Sequence, residues 1–293
     1  MLQFGRVLTA MVTPFDRDLQ VDLAQAGALA QRLVESGSDG VVVAGTTGES
    51  PTLTREEKLA LFRVVVEAVG GKAAVVAGTG SNSTMESIEL TREAEKTGVD
   101  GILLVAPYYN RPPQDGLYQH FSAVAKSTRL PVMLYNIPSR TAVNLAPDTL
   151  GRLAQIDNIV AVKESSGNPA QTVEYREKTS RQFGIYSGDD AMTLALMAVG
   201  AVGVVSVASH LVGRRIKELV EYAGAGKFEQ AARINQELAP LFRALFANTN
   251  PIMVKAALNI LGFKVGGLRP PLVEATEKEQ ELMRGCMRQV GLL

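Results

Sequence analysis

The chain has 293 residues, 46% of them hydrophobic, enough for one large α/β barrel or two ordinary domains with a sizeable core. Thirty basic residues balance thirty acidic ones, and neither sign collects in a block, which argues against nucleic acid or an anionic membrane surface as the main partner. No stretch stays apolar for the about 18 residues that a membrane span needs. The single cysteine, Cys286, excludes an internal disulfide and a thiolate metal cluster, and the first six residues lack the form of a signal peptide, so a cytoplasmic location is expected. His120 and His210, the two histidines, lie far apart in sequence, so no metal site is expected.

In chain order, strand-forming runs at 7–12, 40–44, 73–78, 101–106, 131–136, 159–163, 184–187 and 202–206 alternate with helical segments, among them amphipathic stretches at 22–36, 55–69, 84–97, 115–128 and 149–155. Apolar strands separated by helices imply parallel strands covered by those helices. Eight such units in residues 1–224 predict a (β/α)8 TIM barrel. A doubly wound sheet is the alternative. It would usually carry a glycine-rich dinucleotide loop after its first strand, where this chain has Met11-Val12-Thr13-Pro14-Phe15-Asp16. Beyond Gly224 the strands cease. Helices are predicted at 228–246, 251–261 and 274–290, with Thr276 as a cap, so residues 225–293 read as a C-terminal helical appendage.

A barrel of this kind places its active site at the C-terminal ends of the strands. The sixth run closes on Lys163, a lone ammonium in an apolar, β-branched segment, where lysines are rare unless paired or put to use. Desolvation of an ammonium favours the neutral amine, which forms Schiff bases with keto acids. The bland alternative is an ion pair with Glu164 or another acid. After the second run, Gly45-Thr46-Thr47-Gly48-Glu49-Ser50 offers hydroxyls and backbone N–H groups to a carboxylate; a phosphate site lacking a P-loop ending, or a plain glycine turn, are the competing interpretations. After the fourth, Tyr108 and Tyr109 cannot both face inward on a regular strand, which makes this segment a loop. After the fifth, Tyr135 could relay protons and Arg140 could grip a carboxylate; a buried tyrosine and a surface salt bridge are the plain alternatives. Asp189 and Asp190 follow the seventh run as metal or acid/base candidates, although a capping role for Asp190 at the next helix is favoured. Together the strand ends suit carbonyl chemistry on small keto acids without a cofactor or metal. Hydride transfer is disfavoured, since the dinucleotide fingerprint is missing.

These motifs resemble the dihydrodipicolinate synthase/N-acetylneuraminate lyase family of class I aldolases over almost the whole chain. The matches run from Leu8–Phe15 through Gly45–Ser50, Pro107–Pro112, Gly116–Phe121, Tyr135–Thr141 and Val162–Ser165. Arg140, the pair Tyr108-Tyr109 and the run Asn110-Arg111-Pro112 point to the synthase branch rather than to sialic acid lyases. Another pyruvate-dependent aldolase of the same family is the alternative, and a catalytically silent pyruvate-binding barrel a further one. The resemblance implies that Lys163 forms a Schiff base with pyruvate and that Tyr135 donates and accepts protons, with Thr46 and Tyr109 completing a relay. It implies that Tyr109 enters the site of a neighbouring subunit of a homotetramer built from tight dimers. Thr47 and the backbone near Val205 would hold the pyruvate carboxylate, Gly188 would line the pocket, and Arg140 would receive the carboxylate of L-aspartate-4-semialdehyde in a pathway to lysine and diaminopimelate. A lysine-effector site would include Ser50, Asn82, Glu86 and Tyr108. Arg55 and Lys58 stand where inhibited relatives often have histidines, and two cations there would repel a lysine ammonium, so weak or absent lysine inhibition is expected.

Overall fold

The structure, a computed structural model, describes residues 3–293. The elements run β1 (Val7–Ala10), α1 (Leu23–Glu35), β2 (Gly40–Val43), α2 (Arg55–Val69), β3 (Ala74–Gly78), α3 (Thr84–Glu95), β4 (Gly101–Val105) and α4 (Gln114–Ala125). They continue with β5 (Val132–Asn136), α5 (Pro138–Thr141), α6 (Pro147–Leu153), β6 (Ile159–Glu164), α7 (Pro169–Lys178), β7 (Gly184–Ser187), α8 (Thr193–Ala198), β8 (Gly203–Ser206) and α9 (Ser209–Gly224). Each strand pairs in parallel with the next, and β8 closes on β1 through Val7↔Val204, Leu8↔Val205 and Thr9↔Ser206. The predicted (β/α)8 barrel is therefore present.

Two cores share each strand. Leu8, Val42, Val76, Leu103, Met133, Ala161, Tyr186 and Val205 fill the barrel interior, and Phe4 packs with them. Their sequence neighbours Val7, Val41, Val75, Ile102, Leu104, Leu134, Val162, Ile185 and Val204 face outward onto the helices. This period of two is invisible as a polarity pattern because both faces are apolar, as in other helix-covered parallel sheets. Gly101 makes room for the ring of Phe4: a Cβ there would lie 2.4 Å from Phe4 Cε1.

Most predicted strands run one or two residues long at an end. The helices the sequence did not localise are α5, α7, α8 and α9. In α7 the buried positions are Gln171, Thr172 and Tyr175, so it carries no apolar stripe. In α9 the backbone leaves helical geometry at Val212, which interrupts the period.

After α9 the chain continues as α10 (Phe228–Leu245), α11 (Ile252–Ile260) and α12 (Glu277–Gln289). Thr276 caps α12 in a reciprocal box with Glu279. These helices reach the mouth of the barrel. Lys255 of α11 donates to the Thr13 carbonyl at 2.9 Å and to Glu49 Oε1 at 2.9 Å, and Glu49 Oε2 accepts from the Arg269 backbone N–H at 3.0 Å. Arg269 also clasps Glu57 of α2 through both terminal nitrogens, at 2.6 and 2.8 Å.

Candidate active site

Strand parity decides what Lys163 can touch. Ala161 faces the barrel interior and Val162 faces the helices, so Lys163 points inward and Glu164 outward. Glu164 is spent elsewhere: it accepts from Asn136 Nδ2 at 3.0 Å, Gln171 Nε2 at 3.2 Å and the Ser166 N–H at 2.5 Å. The ion pair that a lysine here could have made with its neighbour is geometrically excluded. Lys163 is buried and has no salt-bridge partner among the described residues. Tyr135, in register on β5, faces it, with its ring centre 4.1 Å from Lys163 Nζ. The ring face stands against the amine, and no carboxylate among the described residues pairs with it.

Gly188 follows β7 and donates its N–H to the Glu164 carbonyl at 2.8 Å. A Cβ at this position would fall 1.9 Å from Ser165 Oγ and 2.9 Å from Lys163 Cε. The glycine is thus a spacing requirement of the lysine stem. Val205, in register with Leu8, contributes its side chain to the interior core below the lysine.

The Gly45–Ser50 loop is a tight turn. Gly48 and Ser50 N–H both donate to the Gly45 carbonyl, at 3.1 and 3.2 Å, and Glu49 N–H donates to the Thr46 carbonyl at 3.1 Å. Thr13 Oγ1 pins the Gly48 carbonyl at 2.6 Å. Glu49 sits in the left-handed region with φ 56°, held there by its buried bonds to Lys255 and Arg269. A cavity of about 500 Å³ opens over the strand ends and is lined by Thr46, Tyr135 and Arg140 among others. Lys163, Thr47, Gly188 and Val205 lie outside that lining. Thr47 is buried, and its Oγ1 accepts from Asn250 Nδ2 at 2.8 Å.

The same cavity continues past Ser50, Arg55, Lys58, Glu86 and Tyr108. Asn82 lies outside the lining, next to the lining residue Ser81, and its carbonyl accepts from Asn110 Nδ2 at 2.8 Å. Here the structure corrects the charge argument from sequence. Arg55 is bonded to Glu93 at 2.5 Å and Glu89 at 3.1 Å, and its charge is countered on the spot. Burial pushes the Lys58 ammonium below its ordinary value while Glu86 opposes that shift. Of the two cations, Lys58 is the one without a salt-bridge partner among the described residues, although Glu86 lies near enough to act on it.

Tyr108 and Tyr109 diverge as the sequence requires. Tyr109 is 90% exposed with φ 72°, and the structure does not bring it to Lys163 within one chain. Asp190 also departs from expectation. It does not cap the helix that follows it. Its Oδ2 accepts from the Val207 and Ala208 N–H groups at 2.9 and 2.8 Å, and Ser206 Oγ donates to Oδ1 at 2.5 Å, so it caps the turn into α9. Burial raises its pKa against those bonds. The local cap after β7 is Asp189, which accepts from the Ala191 and Met192 N–H groups. Among the described residues no group of three or more His, Cys, Asp or Glu is placed to hold a metal ion. Asn250 is the site neighbour that sequence reasoning missed. Nothing in Asn248-Thr249-Asn250-Pro251 signals a partner 203 residues away.

A closed (β/α)8 barrel whose sixth strand ends in an inward, unpaired lysine beside an inward tyrosine is the framework of a Schiff-base, class I aldolase type of enzyme. The comparison with known proteins narrows the class. The chain belongs to the dihydrodipicolinate synthetase family, whose family model matches residues 3–290. A 4-hydroxy-tetrahydrodipicolinate synthase from Desulforudis audaxviator is 60% identical over 292 residues, covering 100% of this chain and 99% of its own. A dihydrodipicolinate synthase structure from Cyanidioschyzon merolae, solved with lysine bound, superposes with a TM-score of 0.98 at 50% identity and covers 100% of both chains. One from Bacillus anthracis gives 0.96 at 49% identity, covering 98% of this chain and 99% of its own.

Proposed function

We infer that this chain catalyses the 4-hydroxy-tetrahydrodipicolinate synthase reaction, the condensation of pyruvate with L-aspartate-4-semialdehyde on the route to lysine and diaminopimelate. The observation that carries it is the unpaired Lys163 amine facing Tyr135 at the mouth of the barrel. The Lys163 amine adds to C2 of pyruvate, and the C2 oxygen leaves as water to give an imine. Loss of a C3 proton gives the enamine, which attacks the aldehyde carbon of the second substrate. The new alkoxide takes a proton. The substrate's own amino group then attacks C2, closing the ring and breaking the bond from C2 to Lys163 Nζ. Every step uses only the two substrates and side chains of this protein.

Tyr135 is assigned the proton transfers, with Thr46 and Tyr109 passing protons to and from it. Thr47 and the backbone at Val205 hold the pyruvate carboxylate, Gly188 lines the space beside the lysine stem, below the large cavity's own lining, and Arg140 receives the carboxylate of the semialdehyde. The position of Arg140 on the cavity wall, free of any carboxylate partner among the described residues, supports that role. The exposure of Tyr109 supports its service to a neighbouring subunit, and a homotetramer made of dimers is part of the same proposal. No helix is long and apolar enough to cross a membrane, and operation in the cytoplasm is part of the proposal. Ser50, Asn82, Glu86 and Tyr108, with Arg55 and Lys58, are assigned to a lysine-effector site at the far end of the cavity.

The test is a steady-state assay with pyruvate and L-aspartate-4-semialdehyde, coupled to reduction of the product by NAD(P)H. Oxidation of NAD(P)H that requires both substrates supports the assignment. No turnover with this pair, but turnover with another aldehyde, would move the chain to a different aldolase reaction of the family.

A further inference from the structure

Three features meet at one residue of the helical tail. Asn250 is buried between α10 and α11; its Nδ2 donates to Thr47 Oγ1 at 2.8 Å, and its backbone carbonyl accepts from Arg140 Nη2 at 3.2 Å. Its Oδ1 is buried without a partner. The segment is anchored from behind, since Asn248 Nδ2 donates to Glu279 Oε1 of α12 at 2.7 Å. One residue therefore touches both groups assigned to hold substrate carboxylates, from a part of the chain that supplies no reacting atom.

We propose that Asn250 is a positioning residue that sets the polarity of Thr47: by donating into Thr47 Oγ1, it leaves the hydroxyl proton free for the pyruvate carboxylate, while its backbone carbonyl separately fixes Arg140. The proposal rests on the functional assignment of Thr47 and Arg140. A hydroxyl has one proton to donate and two lone pairs to accept with. A carboxylate only accepts, so Thr47 is useful to pyruvate only when its proton is not committed elsewhere. The opposite amide orientation would take that proton into Oδ1 and turn an oxygen lone pair toward the substrate. The carboxylate's need for a donor requires the orientation drawn, with Nδ2 toward Thr47 Oγ1.

The two contacts separate on mutation, because one uses the side chain and the other the backbone. Asn250→Ala should raise the KM for pyruvate about tenfold, the value of one hydrogen bond to a charged group, and leave the KM for the semialdehyde nearly unchanged. Asn250→Asp is close to isosteric, so it keeps the fold if the alanine variant does not. It can only accept when ionised, it captures the Thr47 proton, and it sets a negative charge near the carboxylate site. Its pyruvate KM should rise further, by about a hundredfold. Borohydride with saturating pyruvate should still label Lys163 in both variants. Equal rises in both KM values, an unchanged pyruvate KM, or an aspartate variant no worse than alanine would overturn the proposal while leaving the functional assignment intact. A wild-type protein that yields no pyruvate adduct overturns both.

Discussion

Replacing Lys255 with methionine would cut the buried link between the helical tail and the Gly45–Ser50 loop. Lys255 Nζ lies 2.9 Å from Glu49 Oε1, 2.9 Å from the Thr13 carbonyl and 4.2 Å from the centre of the Phe15 ring, and both charged side chains are 1% exposed. Burial pushes the ammonium below its ordinary value, and Glu49 pulls it back. The attraction within such a pair is largely offset by the desolvation of both ions, so the intact pair adds little net stability. Removing one partner is another matter, because an uncompensated buried carboxylate costs about 3–5 kcal/mol. Glu49 retains the Arg269 N–H at 3.0 Å, which places the expected loss near the low end, about 3 kcal/mol. For a chain of 293 residues that corresponds to about 5 °C in Tm. The double variant Glu49→Gln/Lys255→Met, in which no charge is stranded, should recover most of the loss. Chemical denaturation of the wild type and the two variants makes the comparison. A single variant that loses less than about 1 kcal/mol, or a double variant no more stable than the single, would refute the reasoning.

Gly188→Ala should keep the fold yet reduce kcat/KM for pyruvate by about a hundredfold, because the new methyl lies 2.9 Å from Lys163 Cε and displaces the amine; steady-state kinetics beside far-UV circular dichroism check this. Burial holds the pKa of His120 and His210 at about 4, below the usual 6.5, so both stay neutral in the folded chain while the unfolded chain takes up their protons as the pH falls. Stability should therefore be fully present above pH 6.5 and decline toward pH 4, by up to about 3 kcal/mol for each histidine, and the slope of urea stability against pH should shrink in His210→Gln. With Arg55 neutralised by Glu89 and Glu93, Lys58 is left as the cation that opposes a bound lysine. Lys58→Ala should lower the lysine concentration for half-inhibition about fivefold, and an unchanged inhibition curve would dismiss the electrostatic argument.

The barrel was legible because eight apolar runs separated by helical stretches leave few other architectures. The chemistry was legible because a lysine inside such a run is costly unless used. Which strand face points inward was not legible, since Val162 and Ala161 are equally apolar although one meets helices and the other the barrel interior. Parity had to come from closure of the sheet, and with it the reason why Glu164 cannot pair with Lys163. The tail was legible as helices but not as part of the site. Asn250 and Lys255 reach Thr47 and Glu49 across more than 200 residues, and no local pattern encodes such contacts. The α7 helix escaped notice because the residues it buries, Gln171, Thr172 and Tyr175, form no apolar stripe; Gln171 and Tyr175 serve a polar network around Glu164 instead. Asp190 shows the same limit: its sequence position suggests a cap for the next helix, whereas its carboxylate crosses to the backbone of Val207 and Ala208.

The most direct test of the central claim is reductive trapping. The protein is incubated with pyruvate and borohydride, digested, and the peptides are weighed. The account predicts a single reduced pyruvyl group on the peptide carrying Lys163 and none in Lys163→Ala, which should remain folded and lose turnover. An adduct on another lysine, or turnover that survives Lys163→Ala, would contradict it.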